Sequence, residues 1–180
     1  MEETDYELIR AVGAGDHRAF ERLVRKYQNP VFNFVFRCLG DRHAAEDIMQ
    51  EAFLGLYRAA PCFAERAQVS TWIFRIAYNL SMNEIKRRKR HLNLKEALHN
   101  LPHVDAGPST LSAIEARELE KGIITALDQL PKNQKAAMLL RLNEEHSYAE
   151  ISEILSVSVS SVESLIFRAR TRLRQLLKRK

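Results

Sequence analysis

Residues Ser147 to Gln175 read SYAEISEILSVSVSSVESLIFRARTRLRQ, two short amphipathic patterns separated by a Ser/Val turn. Ser147 and Glu150 have the spacing of a capping box, in which the serine side chain and the glutamate side chain each bond a backbone amide of the other residue. Apolar residues follow at the positions where two helices joined by a tight turn touch. They are Ile151, Leu155, Val157, Val162 and Ile166. The stretch is therefore predicted to form a helix-turn-helix.

The second helix of this motif has an outward face that suits DNA. A step of 100° per residue puts an apolar stripe on the inner side, formed by Val162, Ile166, Ala169 and Leu173. The opposite side carries Ser160, Ser164, Phe167 and Thr171, flanked by Glu163 and Arg168. Hydroxyl and guanidinium groups bond phosphates and base edges, and a phenyl ring packs on a thymine methyl. An ordinary basic surface helix is the alternative, but the outward Phe167 favours DNA contact.

The rest of the chain has the same helical character. Nearly every segment repeats at helical spacing, and no window combines strict alternation with hairpin turn residues. With 180 residues and 46% hydrophobic content, the chain can bury one moderate core or two small ones. The predicted fold class is all-α, with two helical domains.

Localisation and cysteine usage are read from the same sequence. No run of eighteen apolar residues occurs, and the first residues are acidic and mixed, so neither a membrane span nor a signal peptide is expected. The protein is expected to be cytoplasmic. Cys38 and Cys62 form no CxxC motif and lie in apolar segments, which predicts burial of both as small hydrophobic residues.

Turn and capping residues divide the first half of the chain into helices. Asp16 is the predicted N-cap of the first helix, which Asn29-Pro30 is expected to interrupt before it resumes and ends at Gly40. Asp41 is the predicted N-cap of the next helix. The buried stripe of that helix is expected to consist of Ala45, Ile48, Ala52, Phe53 and Leu56.

A longer helix follows, with Ser70 as its predicted N-cap and Trp72 in its inward stripe. This helix runs directly into five consecutive basic residues, 86–90. Residues 96–112 contain two prolines and a glycine without a sustained period, which predicts a flexible linker. The predicted domains are therefore residues 1–95 and residues 113–180.

Basic charge is concentrated in two places. Residues 81–95 hold six lysines and arginines against one glutamate, and residues 131–180 hold ten against five acidic residues. The segment between them, residues 96–130, is acidic, with six carboxylates against two basic residues. Segregated basic charge of this kind favours two contacts with a polyanion. Taken singly, either cluster is equally well explained as a solvated surface.

Three motifs in order carry a resemblance to a known family. They are DRHAAEDIMQEAFLGLYRA (Asp41 to Ala59), STWIFRIAYNLSMNEIKRRKR (Ser70 to Arg90) and SYAEISEILSVSVSSVESLIFRARTRL (Ser147 to Leu173). Together they resemble the sigma-70 family of RNA polymerase sigma factors, in the short extracytoplasmic-function form (group 4). The resemblance implies a region 2-like domain and a region 4-like domain. It also implies a non-enzymatic factor that binds core RNA polymerase, recognises the −10 and −35 promoter elements, melts the promoter and starts transcription.

The resemblance assigns roles to residues of the first domain. Asp47, Gln50 and Glu51 match the positions that bind the clamp helices of the largest polymerase subunit, and Leu54 shares their outward, acidic side. The segment from Phe63 to Val69 matches the loop that holds a flipped base of the −10 element. The residues implied to contact that element are Phe63, Arg75, Asn79, Lys86, Arg87, Arg88, Lys89 and Arg90.

In the second domain, Ser164, Phe167 and Arg168 match positions that contact the −35 element, and the neighbouring outward residues Ser160, Glu163 and Thr171 join that predicted surface. Glu163 and Leu165 stand where basic residues are common in the family. A glutamate accepts from cytosine N4 where an arginine would bond guanine, so Glu163 could alter the sequence that is read. Alternatively, Glu163 only interacts favourably with the N-terminal dipole of its helix.

The family resemblance further implies an anti-sigma factor as a partner, and it implies no cofactor and no metal. Two alternatives remain open on the sequence. One is a stand-alone helix-turn-helix regulator of transcription, which explains the second domain but not Arg75 and Asn79. The other is a metal-dependent enzyme, since one helix carries several metal-ligating side chains at spacings of three and four. These are His43, Glu46, Asp47 and Glu51.

Overall fold

The computed structural model describes residues 3–63, 68–94, 122–142 and 146–178, and every regular element in these ranges is a helix. In the first half these are α1 (Asp5–Gly13), α2 (His17–Leu39), α3 (Arg42–Ala59), a short 3₁₀ helix (Ala60–Cys62) and α4 (Val69–Leu94). In the second half they are α5 (residues 122–128), α6 (Lys132–Leu142), α7 (Tyr148–Leu155) and α8 (Val159–Leu177). The all-α prediction is confirmed.

Helix α1 precedes the first helix that the sequence pattern predicted. It begins with a capping box, in which Thr4 accepts from the amide of Glu7 and the Glu7 side chain accepts from the amide of Thr4. It buries Leu8, Ile9 and Val12. An expectation built on Asp16 as the first N-cap missed this helix, although Thr4-x-x-Glu7 is the same signature that was read at Ser147.

The predicted break at Asn29-Pro30 is wrong, because α2 passes through Pro30 without interruption. The apolar stripe keeps helical spacing on both sides of the proline, and Leu23, Tyr27, Val31 and Phe34 are all buried. Packing of this continuous stripe outweighs the single backbone hydrogen bond that the proline removes. The predicted ends of α2 are confirmed: Asp16 is the N-cap and Gly40 closes the helix in the left-handed conformation at φ 69°.

Helix α3 follows its prediction closely. Asp41 is the N-cap and accepts from the amide of Ala44, and the five residues of the predicted stripe are buried. In α4, however, the predicted cap is wrong: the helix already includes Val69 and Ser70, and the Ser70 hydroxyl points to the side chain of Gln68. Trp72 is only half-buried. The apolar side of Val69 explains the earlier start, since this residue is buried in the core.

The second half contains the predicted helix-turn-helix. The capping box of Ser147 and Glu150 opens α7, and Ser156 ends it with φ 55° and ψ 47°. The inner residues Val162, Ile166 and Ala169 of α8 are buried. The sequence pattern also predicts breaks between helices at Leu130-Pro131 and at Asn143 to His146. The first break is confirmed between α5 and α6, while residues 143–145 lie outside the described residues.

The helices of the two halves pack on one another. Helix α4 contacts α7, and α2 contacts α6. At this contact the ring of buried Phe74 lies 4.7 Å from the ring of buried His146, edge to face, and 5.5 Å from the ring of Phe34 on α2. Residues 96–112, predicted as a linker, lie outside the described residues, so the domain limits stay a prediction.

The cysteines differ from each other. Cys38 lies beside the contact between the halves, and burial raises the pKa of its thiol to about 12, against an opposing influence from Lys135. Cys62 is exposed, so its predicted burial is wrong. It is the last residue of the 3₁₀ helix, in which only Ala60 is buried. In the described part of the chain, no helix is long and apolar enough to cross a membrane.

Candidate functional site

The first candidate surface is the outward face of α3, formed by Asp47, Gln50, Glu51 and Leu54. All four side chains are exposed, and Leu54 is 49% exposed. Among the described residues neither Asp47 nor Glu51 has an ion-pair partner, whereas the adjacent Glu46 is paired with Arg42 at 2.9 Å. Two free carboxylates, an amide and an exposed leucine therefore form a surface that suits a basic protein partner with an apolar spot.

The second candidate surface begins at Phe63, directly after the 3₁₀ helix. The Phe63 ring is half-buried, with its centroid 5.0 Å from that of Trp72 on α4 and 6.4 Å from that of Tyr6 on α1. The three rings form an aromatic wall next to the loop that was predicted to hold a base. Residues 64–67 of that loop lie outside the described residues.

Arg75 and Asn79 extend this surface along α4. They are one turn apart, both are exposed, and they share the face of the helix that turns away from buried Phe74 and Tyr78. A guanidinium and an amide so placed can bond a phosphate and a base edge side by side. Their spacing of four puts them on one face of α4, that face is exposed, and their contact with DNA stays a prediction.

The basic segment of α4, residues 86–90, is partly neutralised by nearby carboxylates. Arg87 donates two hydrogen bonds to Glu84, at 2.7 and 2.9 Å, and Arg88 donates one to the same carboxylate at 2.7 Å. Hydrogen bonds from these two arginines lower the pKa of Glu84 from its ordinary value of 4.5 to about 2. Arg88 also donates to Asp41, the N-cap of α3, at 2.9 Å. Lys86, Lys89 and Arg90 are exposed.

The third candidate surface is the outward face of α8. Its predicted residues are exposed without exception: Ser160, Glu163, Ser164, Phe167, Arg168 and Thr171. Phe167 is 72% exposed, the largest value among the exposed large hydrophobic residues that the structure describes. The Thr171 hydroxyl donates to the carbonyl of Phe167 at 3.0 Å, so that hydroxyl is free only as an acceptor.

Sequence reasoning missed the other wall of this surface. An open groove of about 470 Å³ runs between α8 and the turn that joins α5 to α6. On the α8 side it is lined by Phe167, Arg168, Thr171, Arg172 and Gln175, and on the other side by Gln129, Pro131 and Gln134. The glutamines belong to other elements of the same half, the α5–α6 turn and α6, so no pattern within α8 could have indicated them.

The metal-site alternative receives no support from this geometry. In the ranges that the structure describes, no three residues among histidine, cysteine, aspartate and glutamate are arranged to hold a metal ion. His43 and Glu46 approach each other only to 4.0 Å at the exposed surface of α3.

Comparison with known proteins decides the family. Residues 23–91 match the family model of sigma-70 region 2, and residues 121–173 match that of sigma-70 region 4. The chain is 34% identical over 176 residues to the RNA polymerase sigma-H factor of Pseudomonas aeruginosa, covering 94% of this chain and 91% of the relative. The protein belongs to the sigma-70 family of RNA polymerase sigma factors.

Further relatives place this sigma factor in the extracytoplasmic-function group. The factor SigW of Bacillus subtilis, which carries that designation, is 33% identical over 177 residues, covering 94% of this chain and 95% of SigW. Two solved structures share the fold. CnrH in complex with the cytosolic domain of CnrY has a TM-score of 0.74 at 22% identity, with 99% of each chain covered. The sigma factor RpoE of Bartonella quintana, in complex with the anti-sigma factor NepR, has a TM-score of 0.73 at 21% identity, covering 88% of this chain and 96% of RpoE.

The two family matches contain the candidate surfaces. The region 2 match includes the acidic face of α3, Phe63 and the outward side of α4, whereas the region 4 match includes the helix-turn-helix. A stand-alone helix-turn-helix regulator leaves the region 2 match unexplained, and that alternative is not favoured. Helix α1 lies before the region 2 match.

Proposed function

We propose that this sigma factor binds core RNA polymerase and directs it to promoters by recognising the −10 and −35 elements, melting the DNA and starting transcription. The observation that carries the proposal is a separation of surface chemistry. One exposed face is acidic, on α3, and two exposed faces carry arginine, amide, hydroxyl and aromatic groups, on α4 and α8. An acidic face repels DNA and suits a basic protein, whereas the other two suit a polyanion.

The acidic face of α3 is the proposed contact with the clamp helices of the largest polymerase subunit. Asp47, Gln50 and Glu51 would bond basic and amide groups of those helices, and Leu54 would supply an apolar anchor. Support comes from their exposure and from the absence of ion-pair partners for both carboxylates in the described parts of the chain. Because these carboxylates are free, no internal ion pair has to break when the partner binds.

Binding of purified core polymerase to the labelled chain tests this contact. The double variant Asp47→Ala/Glu51→Ala is expected to weaken binding at least tenfold, since each lost charge pair at an interface costs on the order of 1 kcal/mol or more. Glu21→Ala/Glu153→Ala is the matched control, because it removes two exposed carboxylates from α2 and α7 and changes the net charge equally. Equal weakening by both double variants would refute the contact at α3.

The outward side of α4 is the proposed contact with the −10 element. Asn79 offers a donor and an acceptor to a base edge, Arg75 lies one turn away, and the exposed residues Lys86, Arg87, Lys89 and Arg90 supply positive charge for the backbone. Phe63, stacked against Trp72, would form one wall of the pocket for a flipped base. Melting then exchanges base pairing in the duplex for capture of a base by the protein.

The outward side of α8 is the proposed contact with the −35 element in the major groove. Ser160, Ser164, Arg168 and Thr171 would bond phosphates and base edges, and Phe167 would pack on an apolar part of the DNA. Glu163 lies on the same exposed face, close to the start of the helix. We hypothesise that it accepts from a cytosine and so alters the preferred −35 sequence.

A panel of promoters with single −35 substitutions tests the role of Glu163. With Glu163→Ala, the preference for one base pair of the panel is expected to relax, because a lost side-chain contact to a base costs on the order of 1 kcal/mol of discrimination or more. An unchanged preference across the whole panel would leave Glu163 with only its interaction with the helix dipole.

In this proposal the chain makes and breaks no covalent bond, needs no cofactor and acts in the cytoplasm beside the polymerase. A second partner is an anti-sigma factor. Support for that partner comes from RpoE of Bartonella quintana, which was solved in complex with the anti-sigma factor NepR. Such a partner would cover one or more of the three exposed surfaces until it is released.

A further inference from the structure

Arg88 is held differently from the other residues of the basic segment. Its Nε donates to Glu84 Oε1 at 2.7 Å within α4, and its Nη2 donates to Asp41 Oδ2 at 2.9 Å across to α3. Its side chain is 31% exposed, whereas that of Arg87 is 62% exposed and bonds Glu84 alone. Two carboxylates therefore occupy two edges of the Arg88 guanidinium.

Asp41 has two roles in this arrangement. One oxygen, Oδ1, accepts from the amide of Ala44 at 3.1 Å and caps α3, while Oδ2 accepts from Arg88. The same carboxylate thus joins the N-cap of α3 to the last third of α4. These are the two helices that carry the proposed polymerase surface and the proposed −10 surface.

We propose that Arg88 is a positioning residue and not a phosphate contact. The bridge Asp41–Arg88–Glu84 fixes the direction of the basic end of α4 relative to α3, so that the exposed side chains of Lys86, Lys89 and Arg90 meet the DNA backbone. This inference rests on the proposed DNA contact of α4, and it assigns different tasks to residues that the sequence presents as one run of positive charge.

The cost of moving Arg88 supports this division. If Arg88 turned to a phosphate, Glu84, which is only 13% exposed, would keep Arg87 alone, and Asp41 would lose the ion-pair partner that it has among the described residues. Leaving the Asp41 carboxylate without that partner close to the DNA backbone opposes binding by charge repulsion. Lysine could not replace Arg88, because an ammonium group lacks the planar fork that reaches two carboxylates at once.

The salt dependence of DNA binding distinguishes a phosphate contact from a positioning residue. The probe is a fluorescein-labelled single strand of mixed sequence, titrated with the full chain between about 50 and 200 mM NaCl. The slope of log K against log salt is negative, and loss of one phosphate contact reduces its magnitude by about 0.7 for single strands. This reduction is the result expected for Lys89→Met. Arg88→Met is expected to leave the slope unchanged while weakening binding about fivefold, and Arg88→Lys should not restore it.

Asp41→Asn tests the bridge from its other end. Asparagine caps a helix as well as aspartate does, so this variant keeps the cap of α3 and removes the charge that holds Arg88. It is expected to weaken DNA binding as Arg88→Met does, and the double variant should be no weaker than either single one. Asp16→Asn is the control, because Asp16 caps α2 through the amides of Arg18 and Ala19 without forming such a bridge.

The same variants give a readout that needs no DNA. A double-mutant cycle on urea unfolding should give coupling between Asp41 and Arg88, whether or not the chain binds the strand. Coupling without any DNA binding by the parent chain would refute the DNA contact of α4, and with it the positioning role. If Arg88→Met reduces the magnitude of the salt slope by about 0.7 and Arg88→Lys restores it, Arg88 is a phosphate contact and the inference is wrong. Unchanged affinity in both Arg88→Met and Asp41→Asn would also overturn it.

Discussion

Two phenylalanines on different helices show how burial separates structural residues from contact residues. Phe74 is buried between Phe34 and His146, whereas Phe167 lies 72% exposed on α8. We expect Phe74→Ala to lower the free energy of unfolding by about 3–5 kcal/mol, because it leaves a cavity in the core. Phe167→Ala should change it by less than about 0.5 kcal/mol and should weaken binding to duplex DNA. Urea unfolding followed by circular dichroism measures the two changes in the free energy of unfolding. Similar losses in the two variants would contradict the buried position of Phe74 and the exposed position of Phe167.

Glu84 predicts a specific dependence of stability on pH. Its pKa in the folded chain is lowered from 4.5 to about 2 by Arg87 and Arg88, so the folded state holds this carboxylate charged more strongly than the unfolded state does. The resulting stabilisation is fully present above about pH 4.5 and is lost as the pH falls towards about 2. Glu84→Gln should therefore lower the free energy of unfolding at pH 7, and its difference from the parent should shrink between pH 5 and pH 2.

Unfolding curves of the parent and of Glu84→Gln at several pH values provide this measurement. The pKa of Asp41 is also lowered, chiefly by the hydrogen bond from the amide of Ala44, so only the difference between the two proteins isolates Glu84. A difference that stays constant from pH 7 to pH 2 would mean that the two arginines do not hold the Glu84 charge.

Single side chains of the site were predictable to the extent that helical spacing determines exposure. The outward residues of α3 and α8 lie where a step of 100° put them. The pattern was incomplete for α4: Trp72 of the predicted stripe packs on the core but is only half-buried, and Phe74, which the stripe did not include, lies in the core. Helix α4 packs against α3 on one side and α7 on another, so it has two buried faces. A helical period fitted to one apolar stripe does not predict which residues form a second buried face.

The turn of the helix-turn-helix gives a prediction for an element. Ser156 ends α7 in the left-handed conformation, at φ 55°, and it is the one residue other than glycine with a positive φ in the described ranges. We expect Ser156→Gly to raise the free energy of unfolding by about 0.5–1 kcal/mol, because glycine adopts this conformation without a steric penalty. Thermal unfolding of the full chain measures the effect.

Ser164→Gly is the matched control, since Ser164 is an exposed serine in the interior of α8. At that position glycine should lower the free energy of unfolding by about 0.5–1 kcal/mol. The residue has ordinary helical backbone angles, and glycine loses more conformational entropy than serine when it is fixed in them. Destabilisation by both glycines would indicate that the turn does not require the conformation of Ser156.

The helices themselves were predictable where a capping residue and an apolar stripe agree, as in α3 and α7. Two errors have a common physical cause. Pro30 is a local signal for a break, and Ser70 is a local signal for a start, but α2 and α4 pass through both positions. The neighbouring residues Val31 and Val69 are buried in the core. In each case this packing outweighs the local preference, which is that of Pro30 to break a helix and of Ser70 to cap one.

In the whole molecule, the sequence identified two helical units but not their contact. Helices α2 and α4 of the first half pack on α6 and α7 of the second, with Phe74 against His146 and the Tyr78 hydroxyl 3.5 Å from Asn133. An apolar face in a sequence pattern predicts that some element packs on it, but the pattern does not indicate which element that is. The groove between α8 and the α5–α6 turn was missed for the same reason.

Run-off transcription is the measurement that bears on the complete chain. Core RNA polymerase free of other sigma factors is given fragmented genomic DNA of the organism that encodes the chain, with and without the purified protein. We expect discrete new start sites that are retained with Glu21→Ala/Glu153→Ala and lost with Asp47→Ala/Glu51→Ala, because the second pair alone removes the free carboxylates of α3. If no new start sites form and the parent chain does not bind core polymerase in gel filtration, its proposed role as a promoter-recognition subunit is contradicted.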